Sequence, residues 1–233
     1  MSLSAIVGPS HFHLRKTDTP FLYDQSFHHS IQLFKEILGM TDVTQTNVAE
    51  ADLLKNLGPL APLVGIWEGD KGVDIAPSKD GSKETRFRER MTFEPLGPVV
   101  NGPQVLYGLR YATMAWPLIQ EQPFHEEVGY WLWDAERRQV MRCFVIPRGV
   151  VVNAGGTAEP HAQQFRMAAK AGSAIYGALS NPFLEQTMKT VHYELEVTIH
   201  EGGQFSYVED TQIQIPGRSE LFHHTDQNTL TRR

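Results

Sequence analysis

Cysteine is almost absent from this chain. Cys143 is the only one among 233 residues, which excludes an intrachain disulfide and a cysteine-based metal cluster. It stands between Arg142 and Phe144 in a strand-like run, where a buried small hydrophobe is the expected role. Basic charge is also scarce: 21 Lys and Arg against 27 Asp and Glu give a formal net charge of −6. That is the wrong sign for a protein that must neutralise a phosphate backbone, so no nucleic-acid partner is expected. Arg86, Arg88 and Arg90 recur at every second position and read as the solvated side of a strand. No apolar run reaches the length of a membrane span, and the partly apolar residues 3–9 end at Gly8-Pro9, short of a signal-peptide core. A cytoplasmic protein with no membrane partner is the expectation. Phosphate-binding loops, the G-x-S-x-G elbow and H-E-x-x-H are missing, and the glycines at 149, 155 and 156 fit turns better than a phosphate cradle.

What is present divides into two periodicities. Apolar residues make up 41% of the chain, enough to bury one substantial core. Up to about residue 60 the pattern is helical: Ile31, Phe34, Ile37 and Leu38 share a face, and a second helix is predicted from Asn47, with Glu50 completing a capping box and Gly58-Pro59 ending it. Their apolar faces need cover, from this chain or from a second copy, so a homodimer stays open. From Leu63 onward the period is two. Thr85, Phe87, Glu89, Met91 and Phe93 alternate with the arginines, and Val105 to Tyr111, Phe124 to Trp133, Val140 to Ile146 and Val150 to Val152 follow. Val191 to Ile199 turns at Gly202-Gly203 into Phe205 to Ile215 as a hairpin. Gln164 to Leu179 is open between strand and helix. The fold class is therefore all-β: an antiparallel up-and-down barrel (57–233), closed to remove sheet edges, with an appended N-terminal arm and helices (1–56).

Three local features bear on function. Gly65-Ile-Trp67-Glu-Gly69-Asp-Lys-Gly72 opens the strand region, with glycines for close backbone approach and Trp67 placed to plug one end, its indole N–H taking an acceptor. His125 starts an aromatic strand, Pro123-Phe124-His125-Glu126-Glu127-Val128-Gly129-Tyr130-Trp131. A strand start lies near a barrel mouth, and only one of Glu126 and Glu127 can share the side of His125. His223 and His224 follow Pro216-Gly217, past the last clear strand. A neutral imidazole there could ligate a metal or a haem iron, or serve as a hydrogen-bonded residue of the rim. Trp131, Trp133, Tyr130 and Phe124 read as core or cavity wall.

These motifs, taken in order, resemble the nitrobindin haem-binding β-barrel family, a lipocalin-like group, over roughly residues 57–233. The resemblance implies a compact barrel holding a b-type haem near its mouth. On the matching positions His224 takes the place of the proximal iron ligand and His125 that of the distal histidine, with Phe124 beside it and Trp67 in the opening motif. It implies a ferric centre open on one side that reacts with nitric oxide and isomerises peroxynitrite to nitrate, with no catalytic protein nucleophile. The chain departs from the family in the polar Thr225-Asp226-Gln227-Asn228-Thr229 after His224, in the adjacent His223 as a rival ligand, and in its longer N-terminal part. Two other readings stand beside it: a haem-free barrel carrying a fatty acid or another small apolar ligand, and a metal-free enzyme using His125 with Glu127.

Overall fold

The computed structural model of the chain describes residues 50–233. A short helix α1 (Glu50–Lys55) and a 3-10 turn (Gly58–Leu63) lead into β1 (Gly65–Ser78), β2 (Gly81–Asn101), β3 (Gln104–Pro117), β4 (His125–Asp134), β5 (Gln139–Ile146), β6 (Val150–Thr157), β7 (Gln164–Lys170) and β8 (Gly177–Leu179). Helix α2 (Pro182–Thr187) precedes β9 (Lys189–His200), β10 (Gln204–Gln214) and β11 (Phe222–Arg232). The helix expected around Ile31–Leu38 and the helix start at Asn47 lie outside the described residues.

Ten of the eleven strands close an antiparallel barrel in chain order, with β11 returning to β1 and β5 joined to β6. β8 stands outside the ring, paired to one end of β6, and β6 meets β7 through the single pair Gly155–Ala168. Inward residues alternate along each strand as the period of two requires. In β2, Phe87, Glu89, Met91 and Phe93 are buried, while Arg86, Arg88 and Arg90 lie on the other face.

The closed end is built by the residues that carry the opening motif. Trp67 is 1% exposed and donates its indole N–H to the Leu63 carbonyl at 2.6 Å. Leu60 and Leu63 of the 3-10 segment, and Leu57 just before it, are fully buried in the same cluster. Gly58, at φ +56°, lies so close to the Trp133 ring that a Cβ would sit 2.4 Å from its indole nitrogen. Proline at 59 and 62 suits this tight turn better than the continued α-helix. Gly72 sits beside the register shift that follows Gly69, and a Cβ there would meet the Phe87 ring at 2.5 Å.

Several expectations are corrected. Gly155 and Gly156 are strand residues rather than turn residues: β6 passes so close to Tyr176 and to the Arg166 carbonyl that neither position has room for a Cβ. Cys143 is half-buried, and its Sγ donates to Asn153 Oδ1 at 3.2 Å. The residue buried at this point of β5 is its neighbour Arg142, at 3% exposure. The open segment Gln164 to Leu179 forms strand β7, a turn and strand β8. His223 and His224 lie inside the last strand rather than after it, because β11 pairs on both sides, with β1 and with β10.

Candidate functional site

One end of the barrel is open to a cavity of about 370 Å³. Its mouth is largely apolar: Pro77, Phe87, Phe124, Ile146, Leu184 and Ile213 contribute to the wall. Leu184 comes from α2, which Asn181 caps by accepting a hydrogen bond from the Leu184 N–H at 3.0 Å. Arg148, at the β5–β6 turn, donates to the Phe124 carbonyl at 2.9 Å and fixes the loop before β4.

His125 and His224 both stand at this mouth, each at the start of its strand. β4 and β11 are separated around the ring by β3, β2 and β1, so the two imidazoles rise from well-separated parts of the wall. Each is anchored by a carboxylate. His224 Nε2 lies 2.8 Å from Asp74 Oδ1, and His125 Nε2 lies 3.1 Å from Glu127 Oε1. His223 points the other way; it is 57% exposed and bonds Asp210 outside the cavity at 2.8 Å. The anticipated alternation around His125 holds: Glu127 shares its face, and Glu126 is exposed. Trp67 is not among the residues lining the cavity; it packs edge-on against Phe205, which does line it, at 4.9 Å between ring centres.

Beneath the mouth the wall turns polar, and most of these residues were not singled out from the sequence. Arg142 reaches inward from β5 and bonds Glu127 at 2.5 Å and Glu209 at 2.6 Å. The Tyr111 hydroxyl bonds Glu127 and also receives Arg142 Nη2 at 2.8 Å. The Tyr193 hydroxyl donates to Glu209 at 2.7 Å. Glu89 is held separately, by Thr113 at 2.9 Å, Tyr207 at 3.0 Å and Asn228 at 3.1 Å. Asp226 completes the set from β11.

The charges shift accordingly. Burial works against the Glu127 carboxylate, yet Arg142, His125 and Tyr111 together hold its pKa down at about 2. Burial likewise opposes a charged His125, but the hydrogen bond and charge of Glu127 raise its pKa above the usual histidine value. Glu89 is displaced upward, since burial outweighs its three donors. Asp226 is pushed well above the usual carboxylate range, first by burial and then by Glu209, Glu89, Glu127 and Asp74.

A family model for the THAP4-like, heme-binding beta-barrel domain matches residues 56–232. The chain belongs to this family. Among solved structures, that of Rv2717c from M. tuberculosis superposes with a TM-score of 0.54 at 20% identity, covering 75% of this chain and 94% of the other. At that identity the likeness speaks for the barrel alone. No curated protein sequence matches the chain.

The residues at the mouth suit the group this family name implies. A histidine that ligates iron through one nitrogen is normally held at the other by a carboxylate or carbonyl, and the Asp74–His224 pair has that form. The apolar rim suits a flat macrocycle. No cluster of three or more His, Cys, Asp or Glu able to hold a bare metal ion occurs among the described residues.

Proposed function

We propose that the barrel binds haem b at its mouth, where His224 would hold the iron and His125 would line the pocket beside it. The observation that carries this reading is the carboxylate-anchored His224 on an apolar rim that also bears His125. Bound there, haem would supply a ferric centre for nitric oxide binding and for isomerising peroxynitrite to nitrate. The chain's own contribution is placement and charge. Asp74 lies 2.8 Å from Nε2 of His224 and would fix the orientation of the ring. Glu127 favours the imidazolium form of His125, a cation and donor suited to an anionic nitrogen oxide. Phe87 and Phe124, in edge contact at 5.7 Å, supply an apolar stretch of that wall.

Titration with hemin tests the reading. A saturable Soret band at one haem per chain, kept in His223→Ala and lost in His224→Ala, is the expected result. No specific band in the wild-type protein would end it. The metal-free alternative gains a contact in the His125–Glu127 pair, although the Glu127 carboxylate is already bound by Arg142 and Tyr111. The fatty-acid alternative meets an obstacle in the cavity, because both terminal nitrogens of Arg142 are engaged by glutamates and a carboxylate head would add negative charge to an acidic wall.

A further inference from the structure

Two hydrogen-bond donors in the barrel interior stand without acceptors. Nε of Arg142 and the indole nitrogen of Trp131 are buried and unpartnered, in side chains 3% and 2% exposed that both line the cavity. Buried polar groups in folded proteins are nearly always satisfied. The two donors are neighbours: the guanidinium carbon of Arg142 lies 5.6 Å from the centre of the Trp131 ring.

The rest of the guanidinium is accounted for. Nη1 donates to Glu209 and Tyr193, and Nη2 donates to Glu127 and Tyr111. Around the indole the packing is aromatic: Phe93, Tyr111 and Phe165 all meet it edge-on. The Phe144 ring lies 4.3 Å from the guanidinium carbon, and Met91, Leu195 and Phe205 add apolar surface to the cavity. No described residue offers an acceptor to either donor. An acceptor must arrive with the occupant of this chamber.

We propose that the inner chamber binds a small uncharged ketone, whose carbonyl oxygen accepts from Arg142 and Trp131 and whose hydrocarbon body packs among the aromatic side chains. A carbonyl oxygen has two lone pairs and no proton to place, so one atom can serve both donors. An ammonium offers only further donors and is excluded on that ground. Charge excludes the anion. Glu127 and Glu209 both bind the Arg142 guanidinium, and His125 at the mouth binds Glu127 in turn. With His125 protonated these four groups balance, and with it neutral they are net negative. Neither state leaves a surplus positive charge for a carboxylate. The cavity, at about 370 Å³, has room for a six-membered ring, and an apolar wall with a few placed polar groups is the usual form of such a site. The inference does not rest on the haem reading: it uses the interior below the two histidines and is tested on protein free of haem.

Nuclear magnetic resonance of the indole groups decides it. The chain has four tryptophans, so the N–H signal of Trp131 is one of four and is assigned by its loss in Trp131→Phe. Cyclohexanone is expected to bind one per chain and to move the Trp131 indole proton downfield, while methylenecyclohexane, of the same shape without the oxygen, leaves it near its starting position. Trp131→Phe is expected to weaken cyclohexanone by about threefold to tenfold, the effect of one lost hydrogen bond, without weakening methylenecyclohexane. If that variant does not fold, the wild-type signal is assigned from its proximity to Phe93 and Tyr111, and the titration alone decides. An unmoved Trp131 signal at saturating cyclohexanone, the result expected if a bound water already serves both donors, would overturn the proposal. Tighter binding of cyclohexanecarboxylate with the same downfield shift would overturn it too, by assigning the chamber to an anion. The hemin spectrum is a separate readout, so failure of one reading does not decide the other.

Discussion

Glu127 accepts from His125 on one carboxylate oxygen, at 3.1 Å, and from Arg142 on the other, at 2.5 Å. The two glutamate oxygens thus join the imidazole at the barrel mouth to the guanidinium in its interior. His125 owes its raised pKa to this contact, against the opposing effect of burial. Glu127→Gln removes the charge and keeps the shape, so the His125 midpoint should fall from its raised position toward or below 6.5. An NMR titration of the imidazole Cε1–H checks this; an unmoved midpoint would assign the shift to some other group.

Arg142 holds two carboxylates that burial would otherwise penalise. Breaking a buried pair by removing one partner costs about 3–5 kcal/mol, whereas replacing the whole set by apolar or neutral groups is often close to neutral. Arg142→Met should therefore destabilise by about that much in urea unfolding at pH 7. Adding Glu127→Gln and Glu209→Gln to it should recover most of the loss. A triple variant as unstable as the single one would show that packing of the guanidinium, rather than its charge, is what matters.

Acid should act through Glu127. Its folded pKa is depressed to about 2 from 4.5, so its stabilising contribution is complete above the unfolded value and is lost as pH falls from about 4.5 toward 2. Glu89 has the opposite sign: its pKa is raised, so its contribution is complete below the unfolded value and declines as pH rises through the folded one. The stability difference between wild type and Glu127→Gln should therefore shrink steadily between pH 5 and pH 2. A pH-independent difference in chemical denaturation would contradict the assignment.

Trp67 separates fold from site. Its indole N–H satisfies the Leu63 carbonyl in the plug, and its ring does not line the cavity. Trp67→Phe leaves that carbonyl without its donor and should cost about 1–3 kcal/mol. The affinity for hemin should be unchanged in the folded variant. A weakened Soret titration at full folding would instead give Trp67 a direct part in holding the cofactor.

The barrel was legible because its strands repeat a period of two, and nearly every turn between them carries glycine or proline. β11 was not, for a physical reason: Thr225 to Thr229 is polar throughout, and its strand conformation is held by ladders to β1 and β10, partners distant in sequence. The polar chamber left a fainter mark. Glu89 interrupts the apolar stripe Phe87–Met91–Phe93, and Arg142 stands in phase with Val140 and Phe144. A charged residue in phase with a buried stripe is the signal that points inward, and it was present at both positions.

By itself the sequence determined the class of fold, the plug at Trp67, the mouth position of His125 and the family, since alternation, turn residues and short motifs are local properties of the chain. Tertiary structure alone decided which carboxylate meets which histidine. It set Asp74 against His224 across 150 residues, turned His223 outward, and aligned Asp74, Asp226 and Glu209 in one row. Those relationships depend on strand register and ring closure, which arise from the packing of the whole barrel, and no local pattern encodes them.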